Sequence, residues 1–381
     1  MRFECFATTI NGLERFAADE CKQVAGVDAE PDVGKVIFKA DVDQIIKLNL
    51  GSRMLHKIFI TLARTHVEIL DDVFRAAREI DYAEYIRPDQ TFAVQGERHS
   101  KDKPFTSLDM AAAVGKAIIR SFEEKKGARL KVDLDDPDIQ FYCLVRDSEF
   151  FLGINTTGKS LHRRFYRVFH HRAALHPTIA VGLLRMANWR KNEFLLDPMC
   201  GGGTIPIEAA LMALGTPIGA RKINELAVSK LKFIDFEKIR KIAEELERSV
   251  DSAFKPMLMG TDASPKSIRG ALLNAEKAGV SGLIDFSVKN VFGIENWLKS
   301  EPDHVVMNPP YGIRMGISRI KRFYERVCSC LAEAAPKARL TVIVSKPGIF
   351  SKALEKSGYN ILSKIPVVYG RLNAVLISAE R

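Results

Sequence analysis

The chain of 381 residues carries little that would staple it covalently or hold it in a membrane. Its six cysteines (5, 21, 143, 200, 328, 330) are too few for a disulfide framework at this length. None forms the CxxC pair of a zinc site, so no metal is expected, and Cys328 and Cys330 should sit on different faces of one helix. No window approaches the ~20 apolar residues of a membrane helix. The start, Met1 to Phe6, has no apolar core of a secretory signal. Reduced thiols in a cytoplasmic, monomeric protein are the expectation. Apolar residues at 46% and charged residues at 27% exclude wholesale disorder, a collagen-like repeat and a coiled-coil rod.

Acidic side chains are scarce in one half. Residues 1–158 hold 22 Lys and Arg against 27 Asp and Glu, whereas the remainder holds 35 against 20. The segment 159–172 has five Lys or Arg, three His and no acid, interleaved with Phe165, Tyr166 and Phe169. Cations among aromatics suit phosphate neutralisation with base stacking, and a solvated basic face is the plain alternative. Lys159, Arg163, Arg164 and Arg167 are the candidate RNA contacts.

Apolar spacing divides the chain into three regions. Residues 1–60 read as a small α/β unit, with strands at 3–9 and 35–38 and helices at 12–25 and 42–50. Residues 61–158 repeat the style, with strands at 58–63 and 91–96, a helix at 109–122 and a hairpin at 140–145 and 150–154. A basic connector, 159–175, follows. From 176 to 381 the rhythm is βαβα. Buried-type strands at 194–196, 257–259, 284–288, 305–307 and 339–345 alternate with helices at 205–214, 266–278 and 320–334, and a hairpin at 360–366 and 373–379 closes the region. Such alternation predicts a doubly wound parallel sheet whose ligands lie off the carboxyl ends of the strands. Residues 215–256, charged and helical over 236–250, interrupt the rhythm and read as an insertion.

Three segments compete for a cofactor. Gly153 to Ser160 matches the phosphate loop GxxxxGK[ST]. That match demands a buried helix after it, and the residues that follow are too cationic to bury. Asp197-Pro198-Met199-Cys200-Gly201-Gly202-Gly203-Thr204 follows a strand and opens a helix, a tight turn against which a ligand can lie. A dinucleotide fingerprint would need glycine where Pro206 stands. Asn308-Pro309-Pro310-Tyr311 is suited to an aromatic amine. The nitrogen lone pair of an exocyclic amino group is delocalised into its ring. An Asn oxygen and the Pro309 carbonyl can accept its two N–H bonds and aim that lone pair. The prolines stiffen the turn, and Tyr311 offers a face for an extruded base.

Together the glycine-rich segment and Asn308 to Tyr311 resemble the class I S-adenosylmethionine-dependent methyltransferases that act on amino groups. Phe92 to Arg98, Phe105 to Ser107 and Leu152 to Arg167 resemble the THUMP RNA-binding module behind a ferredoxin-like domain. The resemblance spans nearly the whole chain and is nearest to the archaeal-type tRNA guanine-N2 methyltransferases acting at guanosine 6 of the acceptor stem. It implies a Rossmann-like α/β fold, S-adenosylmethionine as cofactor and tRNA as partner, with ribosomal RNA as the runner-up substrate. A catalytically silent RNA-binding scaffold is the alternative from another class. By the same resemblance Asn308, Pro309, Pro310 and Tyr311 are catalytic. Asp197 to Gly201, Gly203 and Thr204 line the cofactor, and Asn308 also borders it. Asp262, with Ala263, binds its ribose. Asn290 and Val291 lie at the adenine, where the family commonly has an acid. His176, Pro177 and Thr178 close over the methionine part. The phosphate-loop match becomes a strand and turn leading out of THUMP.

Overall fold

The computed structural model describes residues 2–100, 102–169, 174–312, 316–370 and 372–381. Two compact units emerge. One comprises Met1–Thr8, Ala18–Leu161 and Pro217–Leu246. The other comprises Thr9–Ala17, His162–Thr216 and Glu247–Arg381.

The first unit is built from β1 (Arg2–Thr8), α1 (Glu14–Ala25), β2 (Ala29–Asp32), β3 (Lys35–Asp41), α2 (Val42–Gly51), β4 (Lys57–His66), α3 (Leu70–Arg78), β5 (Thr91–Arg98), α4 (Ser107–Lys126), β6 (Lys131–Val132), β7 (Ile139–Arg146) and β8 (Glu149–Asn155). The first four residues of α1 excepted, these elements belong to this unit. The sequence reads as two α/β units here, but the strands form a single eight-stranded sheet in the order β2-β3-β1-β4-β8-β7-β5-β6. The join is the antiparallel β4–β8 pair, with Phe59 opposite Asn155 and a register shift between Thr61 and Ala63. Helix starts follow local chemistry. Asp41 and Gln44 form a reciprocal capping box on α2, and Thr106 and Asp109 do the same on α4. Gly127, at φ 63°, ends α4 in the left-handed conformation. The sequence pattern did not announce α3, because only Val73 and Ala77 of its nine residues are buried.

Residues Pro217–Leu246 fold onto this first unit. Their backbone is tied in by Gly219 N–H to Leu50 O (2.7 Å) and Val228 N–H to Thr156 O (2.7 Å). Leu226, Val228, Leu231 and Ile239 are buried, and Phe233 stacks on Phe3 at 5.3 Å. The segment that interrupts the βα rhythm thus completes the core of the first unit.

The second unit contains α5 (Pro177–Met186), β9 (Leu195–Asp197), α6 (Thr204–Ala213), the end of α7 (Phe236–Arg248), β10 (Leu258–Asp262), α8 (Pro265–Ala278), β11 (Asp285–Val288), α9 (Ile294–Trp297), β12 (His304–Met307), α10 (Ile317–Ala334), β13 (Arg339–Val344), α11 (Pro347–Lys356), β14 (Asn360–Tyr369) and β15 (Leu372–Glu380). The sheet order is β11-β10-β9-β12-β13-β15-β14. The first five strands are parallel and β15 runs antiparallel to β13. This is the expected doubly wound sheet with a closing hairpin. Buried Leu196, Val305, Met307, Val342, Tyr324 and Phe350 form part of the core between the sheet and α10 and α11. Strand order reverses between β9 and β12, which puts the open crevice off the carboxyl ends there. Among the described residues no helix is long and apolar enough to cross a membrane.

Candidate active site

A cleft of about 720 Å³ opens at that crevice within the second unit. Its walls are the segments after β9, β10, β11 and β12, joined by Ala174, Leu175 and Phe323.

The segment after β9 is a turn only glycine can make. Gly201 (φ 52°) and Gly203 (φ 79°) are left-handed. A Cβ on Gly203 would stand 2.9 Å from the Phe286 ring and 3.0 Å from the Ala271 Cβ. The turn is pinned from three sides. Cys200 N–H donates to Thr261 O (2.8 Å), Gly201 N–H to the Asp262 carboxylate (3.0 Å), and the Asn274 amide to Gly202 O (2.9 Å).

The charges at its base are unbalanced. Asp197 is fully buried, and among the described residues its carboxyl accepts Met199 N–H (3.2 Å) alone. Burial pushes its pKa well above the ordinary carboxylate value. The Met199 bond opposes the shift and Asp262 adds to it. Burial, with Asp197 and Asp262 beside it, also pushes the Cys200 thiol well up. Cys200 is therefore a neutral lining group and a poor nucleophile. Asp262 holds Ser264 N–H (2.8 Å) with its other oxygen, which starts α8. Asn290 is exposed on the cleft wall, its side-chain oxygen accepting Phe292 N–H at 3.0 Å. One lone pair and the amide N–H groups of Asn290 remain to meet a ligand.

Opposite stands the turn after β12. Pro310 O accepts the buried Tyr324 hydroxyl (2.9 Å), and Tyr311 O accepts Ser345 Oγ (3.4 Å). Gly312, at φ 71°, lies over Ile320, where a Cβ would come within 2.8 Å. Held this way, the turn leaves Asn308 Oδ1 buried at the cleft with no hydrogen-bond partner. Such an acceptor is costly unless a donor arrives. Burial raises the Tyr311 phenol to about 12, so it stays neutral.

Of the residues singled out in the sequence, Asp197, Pro198, Met199, Cys200, Gly201, Thr204, Asp262, Ala263, Asn290, Val291 and Asn308 to Tyr311 line this one cleft. Gly203 shapes it from behind. His176, Pro177 and Thr178 stand outside the lining. His176 precedes α5, and the cleft is reached instead by Ala174 and Leu175. Sequence reasoning missed Leu175, Ile205, Phe292 and Phe323, which carry no chemical signature beyond being apolar.

The basic connector needs correction. Arg164 is buried, and its guanidinium pairs with buried Glu208 of α6 (2.8 Å), which also accepts the Tyr166 hydroxyl (2.7 Å). Arg167 donates to Leu175 O and to Thr204 Oγ1. Phe169 packs on Gly270 of α8, and Asn274 accepts from Val168 and Phe169 N–H (3.1 and 2.9 Å). No phosphate can reach Arg164, and two of the three aromatics face inward. Arg163 is exposed. Lys159, in the first unit, lies 3.6 Å from Glu225. The missed signal was Glu208 itself, since a lone acid on an apolar helix requires a cation partner. The phosphate-loop match also dissolves. Gly158 turns at φ 79° and no helix follows through residue 169.

Residues 164–375 match the RMKL-like methyltransferase domain, 68–155 the THUMP domain and 4–59 the RlmL ferredoxin-like domain. The chain belongs to the THUMP-bearing RMKL-like methyltransferases. It is 34% identical over 374 residues to a tRNA (guanine(6)-N2)-methyltransferase of Methanocaldococcus jannaschii, covering 96% of this chain and 97% of that one. It is 35% identical over 381 residues to the protein of the same name from Archaeoglobus fulgidus, covering 96% and 89%. Among solved structures, SMU.472 in complex with SAH superposes with a TM-score of 0.87 at 20% identity, covering 99% of this chain and 97% of that one, a likeness of fold.

For this methyltransferase the donor is S-adenosylmethionine, and the site suits it. A sulfonium and an α-ammonium are cations, and among the described residues no cation pairs with the buried Asp197 at the cleft base. Gly201 and Gly202 line the cleft with backbone alone, so no side chain occupies that stretch of wall.

Proposed function

We propose that this methyltransferase transfers a methyl group to the exocyclic N2 of a guanine in tRNA, at position 6 of the acceptor stem. The single observation carrying the reading is Asn308 Oδ1, an unpartnered buried acceptor of a cleft-lining residue, on a turn fixed by Tyr324 and Ser345. Full-length likeness to two tRNA (guanine(6)-N2)-methyltransferases supports the choice of substrate. The reading places the enzyme in the cytoplasm, with the tRNA on which the relatives' names say they act, and takes the monomer as its working form.

When bound, the cofactor supplies an electrophilic methyl on a positively charged sulfur. The chain's own groups do the rest. Asp197, Asp262 and the glycine turn would hold the cofactor. Asn308 Oδ1 and the Pro309 carbonyl would accept the two N–H bonds of the guanine amine. Each acceptor strengthens as positive charge develops on nitrogen, so the pair favours the transition state over the ground state. Pro310 cannot compete as a donor, and its carbonyl is already taken by Tyr324. Tyr311, neutral and lining the cleft, would stack on the extruded base. No covalent enzyme intermediate is needed for an amine, which agrees with a neutral Cys200.

Incubation with unmodified tRNA and ribosomal RNA, followed by mass mapping of nucleosides, tests the reading. N2-methylguanosine at one tRNA position is expected. Product only in ribosomal RNA would move the substrate, and product in neither would end the proposal. Asn308→Ala should lower turnover at least about a hundredfold. Cofactor affinity by titration calorimetry should hold in that variant, because the amine contacts are lost and the cofactor loop is not.

A further inference from the structure

Helix α10 begins directly beyond the Asn308 turn, and its charges are arranged against its own stability. Arg319, Arg322 and Arg326 are exposed and recur at i, i+3 and i+7, which puts them on one side of the helix. The first turn carries no acid, although a helix N-terminus disfavours cations. The only two acids of α10 are occupied elsewhere. Glu325 pairs with Lys356 (2.6 Å) and Glu333 accepts from Ser329 (2.9 Å). Two exposed arginines on other helices show the alternative. Arg75 pairs with Asp71 and Asp72, and Arg240 with Glu237 and Glu244, each on its own helix. Among the described residues no ion pair is made by Arg319, Arg322 or Arg326.

The stripe runs beside the cleft. Ile320 packs beneath Gly312 at the end of the substrate turn. Arg326 lies 4.2 Å above the Phe292 ring, and Phe292 meets Phe323 edge-on at 5.5 Å. Both rings line the cleft. Three like charges thus stand along about 10 Å of helix beside the cleft. Self-repulsion of this kind is relieved by a linear polyanion.

We propose that Arg319, Arg322 and Arg326 form a phosphate rail that holds the RNA strand next to the extruded guanine. The inference rests on the RNA reading above. It adds a docking element on the catalytic unit itself. Guanidinium groups suit this role because each can grip phosphate oxygens bidentately. Contacts to phosphate would set register without reading sequence.

The test uses the full chain with an unmodified tRNA transcript, comparing wild type, Arg319→Gln with Arg322→Gln, and Arg319→Lys with Arg322→Lys. The glutamine pair should weaken RNA binding and reduce the slope of log affinity against log salt by about 1.4 to 1.8, the release expected for two phosphates. The lysine pair should keep most of that slope. Melting temperature of the glutamine pair should hold or rise, since repulsion is removed. An unchanged salt slope in the glutamine pair, with wild type binding and methylating the transcript, overturns the rail alone. A wild type that neither binds nor methylates RNA overturns the RNA reading, and the rail with it.

Discussion

At the scale of single residues, Asp197 and Asn308 are both left incomplete, and each marks a missing ligand of opposite kind. Asn308 needs a donor. Asp197 needs a cation, and its raised pKa makes that need measurable. The native state retains a proton that the unfolded chain, with an ordinary carboxyl near 3.9, gives up. Between that value and the raised native one, the unfolded state binds fewer protons than the folded state, so stability falls as pH rises. Asp197→Asn has no such proton to hold. Urea unfolding of the cofactor-free protein across this window should show wild type losing stability relative to Asp197→Asn as pH rises. Parallel curves would mean that the carboxyl titrates normally. Cofactor binding should tighten with rising pH in wild type, with proton release detectable by calorimetry in two buffers of different ionisation enthalpy. The chemistry of both residues was legible in the sequence because Asp197 closes a strand before a glycine turn and Asn308 precedes two prolines. Their electrostatic state was not, since it depends on what surrounds them in three dimensions.

At the scale of elements, the strands of the second unit were readable to within a few residues, because buried parallel strands are short apolar runs and each ends in a distinctive turn. The connector was misread for an equally physical reason. Alternating cations and aromatics describe an RNA-binding strip and a strap that buries its cations against an acid equally well. What decides is Glu208, 44 residues downstream of Arg164, and only folding brings the two together. The strap then carries structure. Arg164 and Tyr166 hold α6, while Val168 and Phe169 are held by Asn274, whose amide also fixes Gly202 of the cofactor turn. Arg164→Ala leaves Glu208 buried without its cation and should cost about 3 to 5 kcal/mol of stability. Chemical denaturation checks it. The same variant should keep the wild-type salt slope for RNA once folded, because Arg164 never meets phosphate. A variant of full stability with a shallower slope would restore Arg164 to the RNA surface.

At the scale of the whole molecule, chain order and compact units part company. The RMKL-like match spans 164–375, yet Pro217–Leu246 pack with the residues that precede it. Periodicity registered the segment as an interruption, but no local pattern says where an interruption packs. The consequence is that residues 1–161 are not a self-sufficient unit. Without the later segment, Gly219 no longer donates to Leu50, Gln90 loses Lys230 O (2.8 Å) and Thr156 loses Val228 N–H. The faces under Val228, Leu231 and Ile239, each at most 1% exposed, open to water. At roughly 1.5 to 3 kcal/mol for each buried aliphatic side chain, the loss approaches the whole stability of an ordinary domain. Residues 1–161 expressed alone should therefore unfold at far lower urea than the same residues joined to 217–246 by a flexible Gly-Ser linker. Equal midpoints would mean the segment only decorates the surface. A large gap would mean that an RNA-binding half excised at the connector reports on a damaged protein, so any RNA affinity assigned to that half must come from the intact chain.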